Sequence, residues 1–172
     1  MSQLKVNSIV PVGGLPSGAS GGGIIQTVQT VKTDTTSTTS ATMTDCSGMS
    51  VTITPSSASN KILVTVVANI GASSGYRAMM QILRGSTAIG VGTDVGSRKA
   101  CGMSTRYPDV GTSHNAVQTF LDSPATTSAT TYKMQWRNEY SHGLYLNRSY
   151  GDTDNSTYQR TASMIMVQEV TT

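Results

Sequence analysis

The sequence predicts an all-β fold: an antiparallel β-sandwich of jelly-roll type with about eight strands, preceded by an extended N-terminal arm. Three observations carry this. Ser and Thr make up 49 of 172 residues while Glu, Lys and Leu, common in helical domains, are few, and Thr, Val, Ile and Tyr suit a pleated sheet. Two stretches alternate strictly between apolar and polar residues. Apolar runs recur at short intervals, punctuated by Gly, Pro, Asp, Asn and Ser clusters.

The elements follow in order. Residues 24–33 form the first strand, and the Thr/Ser tract 35–44 continues it at an edge or runs as a loop. Met49, Val51 and Ile53 alternate with Ser50, Thr52 and Thr54, so one face is buried and the other wet, until Pro55 ends the run. Residues 61–70 are nearly continuous in Val, Ile and Leu, as expected of a central strand covered on both sides. Residues 76–83 and 87–91 flank Arg84-Gly85-Ser86 as a hairpin. Residues 116–121 end at Asp122-Ser123-Pro124. Thr130–Asn138 follows, with Tyr132, Met134 and Trp136 facing inward and Thr131, Lys133, Gln135 and Arg137 outward. Residues 143–147 and 162–170 complete the set. The last is apolar on both sides, which places it at the centre of a sheet or against another subunit.

Residues 1–23 differ from the rest. Leu4, Val6 and Val10 alternate with polar residues before two prolines and six glycines, which reads as an extended arm on a Gly-rich tether, with residues 24–172 as the sandwich domain. A first strand of the same sheet is the alternative. The region holds no apolar run of signal-peptide length, and no membrane insertion is expected.

The chemistry-bearing residues are sparse. Only 12 % of residues are charged and the net charge is +3, with Lys and Arg scattered singly, so a nucleic-acid partner is not expected. Cys46 and Cys101 read as free thiols, a disulfide being possible but unforced. His114 and His142 have no Cys, His or carboxylate at ligand spacing, and Gly21-Gly22-Gly23 lacks the Lys-Ser/Thr of a phosphate cradle. Asp152-Thr153-Asp154 resembles the start of a calcium loop without its glycine and terminal glutamate; an Asx-rich hairpin loop is the simpler reading. The same two aspartates are the one close acidic pair in a plausible loop, too little to argue a depolymerase. No enzyme and no cofactor is expected. Trp136, Tyr140, Tyr145, Arg148 and Tyr150 are candidates for an outward protein-contact or glycan-stacking surface, or for packing on a sheet face.

Several segments carry a resemblance. Val51-Thr52-Ile53-Thr54-Pro55-Ser56-Ser57, Asn60-Lys61-Ile62-Leu63-Val64, Leu83-Arg84-Gly85-Ser86-Thr87, Phe120-Leu121-Asp122-Ser123-Pro124, Leu146-Asn147-Arg148-Ser149 and Arg160-Thr161-Ala162-Ser163 are similar to segments of structural proteins of marine tailed bacteriophages. Leu4-Lys5-Val6-Asn7 resembles the start of phage fibre proteins. The resemblance implies a virion-surface protein, assembled in the host cytoplasm, that forms a homotrimer and attaches to capsid, neck or tail proteins through its arm. Leu4, Val6, Asn7, Ile9 and Val10 are then the anchoring residues. The chain has no repetitive shaft, which favours a short fibre, knob, head fibre or capsid decoration protein. The alternative is the receptor- or glycan-binding tip of a tail fibre, with a host surface glycan as partner.

Overall fold

The structure, a computed structural model, describes residues 23–171 apart from positions 74 and 108. Eleven strands and no helix occur among them: β1 (Ile24–Lys32), β2 (Thr36–Thr38), β3 (Thr44–Ile53), β4 (Lys61–Ala72), β5 (Arg77–Arg84), β6 (Thr87–Ile89), β7 (Met103–Arg106), β8 (Ser113–Asp122), β9 (Thr130–Asn138), β10 (Leu144–Leu146) and β11 (Ser163–Val170). They build two antiparallel sheets. In the first, β4 pairs along one edge with β8 and along the other with β11 at Lys61–Val67 and with β10 at Ile70–Ala72. β1 lies on β11 and β2 on β10, so the two short pairs share two ladder positions. In the second, β3 lies on β9 and β9 on β5, while β6 and β7 sit end to end on the far edge of β5. Four ladder positions therefore face four across a single core, a β-sandwich.

Side-chain alternation builds that core. Ile62, Val64, Val66, Ala68 and Ile70 of β4 and Ile165 and Val167 of β11 are buried against Tyr132, Met134 and Trp136 of β9 and Met80 and Ile82 of β5. The expectation that 61–70 is covered on both sides is corrected: β4 alternates buried with half-exposed residues as far as Ile70, because the opposite sheet reaches only one of its faces. The other face, the outer face of the first sheet, carries the cross-strand row Val31, Met164, Val67 and Val117. Beyond it run Gln29, Met166, Thr65 and Thr119, then Thr27, Gln168, Leu63 and Leu121. None of these twelve is charged, and Val31, Val117 and Leu121 are about half exposed.

One ladder position is interrupted. Between β10 and β11 the chain leaves the sheet after Asn147, runs through 148–162 and re-enters at Ser163. Asn147 is buried with φ near +63°, a left-handed conformation that Asn tolerates better than most residues. Its Nδ2 donates to the carbonyls of Lys32 and Asp34 at 2.8 and 2.9 Å, which fixes the chain at the end of β1. The excursion crosses β4 at Gly71, where a Cβ atom would sit 2.7 Å from Ser149 Cα. A side chain there would push the loop away.

Candidate functional site

The connections β2–β3, β4–β5, β7–β8 and β9–β10 gather at one end of the sandwich, because strands adjacent in sequence cross between the sheets. Backbone bonds tie them together: Asn138 N–H to Ser40 O at 2.9 Å, Gly75 N–H to Tyr107 O at 2.7 Å, and Tyr107 N–H to Tyr76 O at 3.1 Å. The excursion joins the group through Gly151 N–H, which donates to Val110 O at 2.9 Å. This end is rich in aromatic side chains.

Two aromatic clusters form there. Tyr76 stacks on His142 with ring centroids 3.5 Å apart and meets Tyr140 edge-on at 6.3 Å. Tyr140 is 69 % exposed; Asn138 Oδ1 accepts from its backbone N–H, and Glu139 beside it pairs with Arg77 at 3.0 Å. In the second cluster Tyr145 meets Tyr150 edge-on at 5.5 Å, and the Arg148 guanidinium lies 3.8 Å over the Tyr145 ring. Arg148 is held by the carbonyls of Ser149 and Tyr150 and by Asp152 at 3.4 Å, so ring and cation are fixed as a unit. The exposed rings of the two clusters, Tyr140 and Tyr150, offer apolar faces with polar rims, suited to stacking on a sugar or on another protein.

The sequence-derived candidates divide accordingly. Tyr145, Arg148 and Tyr150 come together, and Tyr140 belongs to the neighbouring cluster with Tyr76 and His142. Trp136 does not take part: it is 1 % exposed and packed between the sheets, and its place in an outward surface is corrected. The register of β9 explains this, since Trp136 shares a face with Tyr132 and Met134. Leu4, Val6, Asn7, Ile9 and Val10 lie outside the described residues.

The acidic loop is engaged by cations of the chain itself. Asp152 pairs with Arg160 and Arg148, and the Arg160 hydrogen bond leads in holding its carboxyl below the usual carboxylate range. A carboxylate already neutralised by two guanidinium groups has little charge left for a metal ion. Among the described residues no three His, Cys, Asp or Glu side chains come together as a ligand set. Cys46 and Cys101 are free thiols, and burial pushes that of Cys46 up to about 12.

The structure also aligns two carboxylates that sequence spacing did not. Glu169, Ile62 and Asp122 occupy one cross-strand row, which puts the acids two strand spacings, roughly 10 Å, apart on the inner face. Each is saturated. Asp122 accepts from Arg84 Nη1 at 2.7 and 2.9 Å and from the Tyr132 hydroxyl at 2.7 Å. Glu169 accepts from Ser56 N–H and Oγ, both at 2.7 Å, and from Asn60 Nδ2 at 2.6 Å. These bonds clasp strands and loops at the end of the sandwich opposite the aromatic clusters. No family model matches the chain, and no curated protein matches it.

Proposed function

We propose that the chain is a non-enzymatic bacteriophage virion structural protein, a short fibre, knob or capsid decoration protein at the virion surface, anchored by its N-terminal arm and displaying a trimeric sandwich. The observation that carries the reading is the outer face of the first sheet. Its row Val31, Met164, Val67 and Val117 is apolar across four strands, and the two rows beside it add Met166, Leu63 and Leu121 without a charge. A contiguous, uncharged and half-exposed sheet face is what a contact between copies requires, and three copies related by rotation bury it symmetrically. The segment resemblance to phage structural proteins supplies the setting.

The sandwich is of jelly-roll type in this reading. Supporting it is the ladder order, β1/β2, β11/β10, β4, β8 against β3, β9, β5, β6/β7, with successive ladders alternating between sheets except from β5 to β6/β7, which share the second sheet. The described chain starts at Gly23, one residue before edge strand β1 of the sheet that carries the proposed contact face. Removing residues 1–23 should leave a folded trimer that no longer joins particles; incorporation at normal occupancy overturns the anchoring role.

A second reading, a receptor- or glycan-binding tip, is favoured by the exposure of Tyr140 and Tyr150 at the aromatic end. Replacing both with alanine should abolish binding to host cells without altering the oligomer. Undiminished binding counts against it.

A further inference from the structure

The outer face of the second sheet carries a hollow of about 410 Å³, within the usual range for small-molecule sites, roughly 300–1,000 Å³. Gln81 of β5 and Arg137 of β9 line it from the sheet. Met43 of the β2–β3 connection and Val91 and Ala100 of the long loop after β6 give it apolar walls.

The cations of this face differ in one respect. Lys133 pairs with Asp45 at 2.7 Å, and Lys99, at the hollow, pairs with Asp94 at 3.5 Å. Arg137, like Arg106 on the same face, forms no salt bridge among the described residues, although Asp94, which shares the lining and pairs with Lys99, also feels its charge. Arg137 Nη1 donates to the Ala41 carbonyl at 3.1 Å and its Nη2 to the Met79 sulfur at 2.9 Å, both neutral acceptors and the second a weak one. A guanidinium offers five N–H donors, so donors remain while the group is steadied on two sides. Arg137 and Lys99 against Asp94 leave the lining one positive charge in excess.

We propose that this hollow binds a small carboxylic acid, with Arg137 pairing the carboxylate and the apolar walls taking the ligand body. The fork of a guanidinium matches the two oxygens of a carboxylate, and one net positive charge matches one anion. Gln81, whose Nε2 donates to Gln135 Oε1 at 2.9 Å, lines the hollow beside Arg137 and is placed to meet a hydroxyl on the ligand with its amide oxygen. The proposal stands independently of the assembly reading, because it uses the opposite sheet.

The test is a titration of the full chain, followed by ligand-observed NMR, with sodium D-glucuronate, sodium benzoate and neutral D-glucose. At least one acid should bind about tenfold more tightly than glucose, and Arg137→Gln should lose about tenfold in affinity for it. Glucuronate binding assigns an acidic sugar and benzoate binding an apolar acid; either supports the site. Ala100→Phe, which fills the hollow and leaves Arg137 in place, should abolish binding equally and decides the matter if Arg137→Gln does not fold. Acids that bind no better than glucose, or full affinity in either variant, overturn the proposal.

Discussion

The Ser163 hydroxyl donates to Asn147 Oδ1 at 2.6 Å, joining the residue where the chain leaves the first sheet to the residue where it returns. Asn69 N–H donates to the same Ser163 oxygen at 2.9 Å, and Asn147 N–H donates to Asn69 O at 2.8 Å. The break in the ladder is thus closed by side chains rather than left to water. The excursion that carries Arg148 and Tyr150 starts from this fixed point, so the second aromatic cluster inherits its rigidity.

Asn147→Ala removes both donations to Lys32 O and Asp34 O and places a Cβ residue at a positive φ. It should destabilise the fold by about 2–4 kcal/mol in urea unfolding. Asn147→Gly loses the same bonds but tolerates the backbone, and should recover about 1 kcal/mol of that. Equal losses in the two variants would show that backbone conformation at 147 contributes nothing.

Asp122 ties Arg84 of β5 to Tyr132 of β9 from the other sheet. Tyr132→Phe should cost about 1.5–3 kcal/mol, the worth of a hydrogen bond to a charged group, and Asp122→Ala more, since it strands both partners. In a double-mutant cycle the two should be non-additive. Additive losses contradict the clasp.

Glu169 loses solvation by burial, but the bonds from Asn60 and Ser56 outweigh this and hold its carboxyl below the ordinary 4.5. A carboxyl lowered on folding contributes stability in full above its unfolded value, and that contribution fades as pH falls through the folded one. Wild type should therefore exceed Glu169→Gln in stability at pH 6, and the gap should narrow progressively below about pH 4.5. A gap that is constant or widens toward pH 3 refutes the assignment. Urea unfolding at pH 6 and pH 3 reads it directly.

Trp136 is the single tryptophan of the chain and is buried in the core. Its fluorescence should be blue-shifted and shielded from iodide, and Trp136→Ala should cost about 3–5 kcal/mol. Tyr140→Ala, at the exposed end, should change stability by no more than about 0.5 kcal/mol. Quenching of Trp136 by iodide in the folded protein contradicts the register of β9.

Where alternation was strict, the sequence could be read to the residue: β9 runs from Thr130 to Asn138 as its pattern indicates, and the same alternation already turned Trp136 inward. Composition alone groups Trp136 with the surface aromatics, but register places it inside. β7 carries no sequence signal, because Met103-Ser104-Thr105-Arg106 holds one apolar residue and owes its place to pairing with β5. Of the Thr/Ser tract 35–44, Thr36–Thr38 is a strand held by β10, and Thr44 opens β3. The aromatic end and the Glu169–Asp122 row depend on contacts between residues far apart in sequence. Spacing gives no signal for these: Tyr76 and His142, or Ser56 and Glu169, meet only once both sheets exist.

In the proposed trimer, self-association buries the outer face of the first sheet. Light scattering on the purified full chain, on a chain beginning at Ile24 and on Val67→Glu tests it. The full chain should show about three times the 18.0 kDa chain mass, the shortened one a proportionate trimer, and Val67→Glu a folded monomer. A monomeric full chain, or a trimer undisturbed by a carboxylate at position 67, contradicts it.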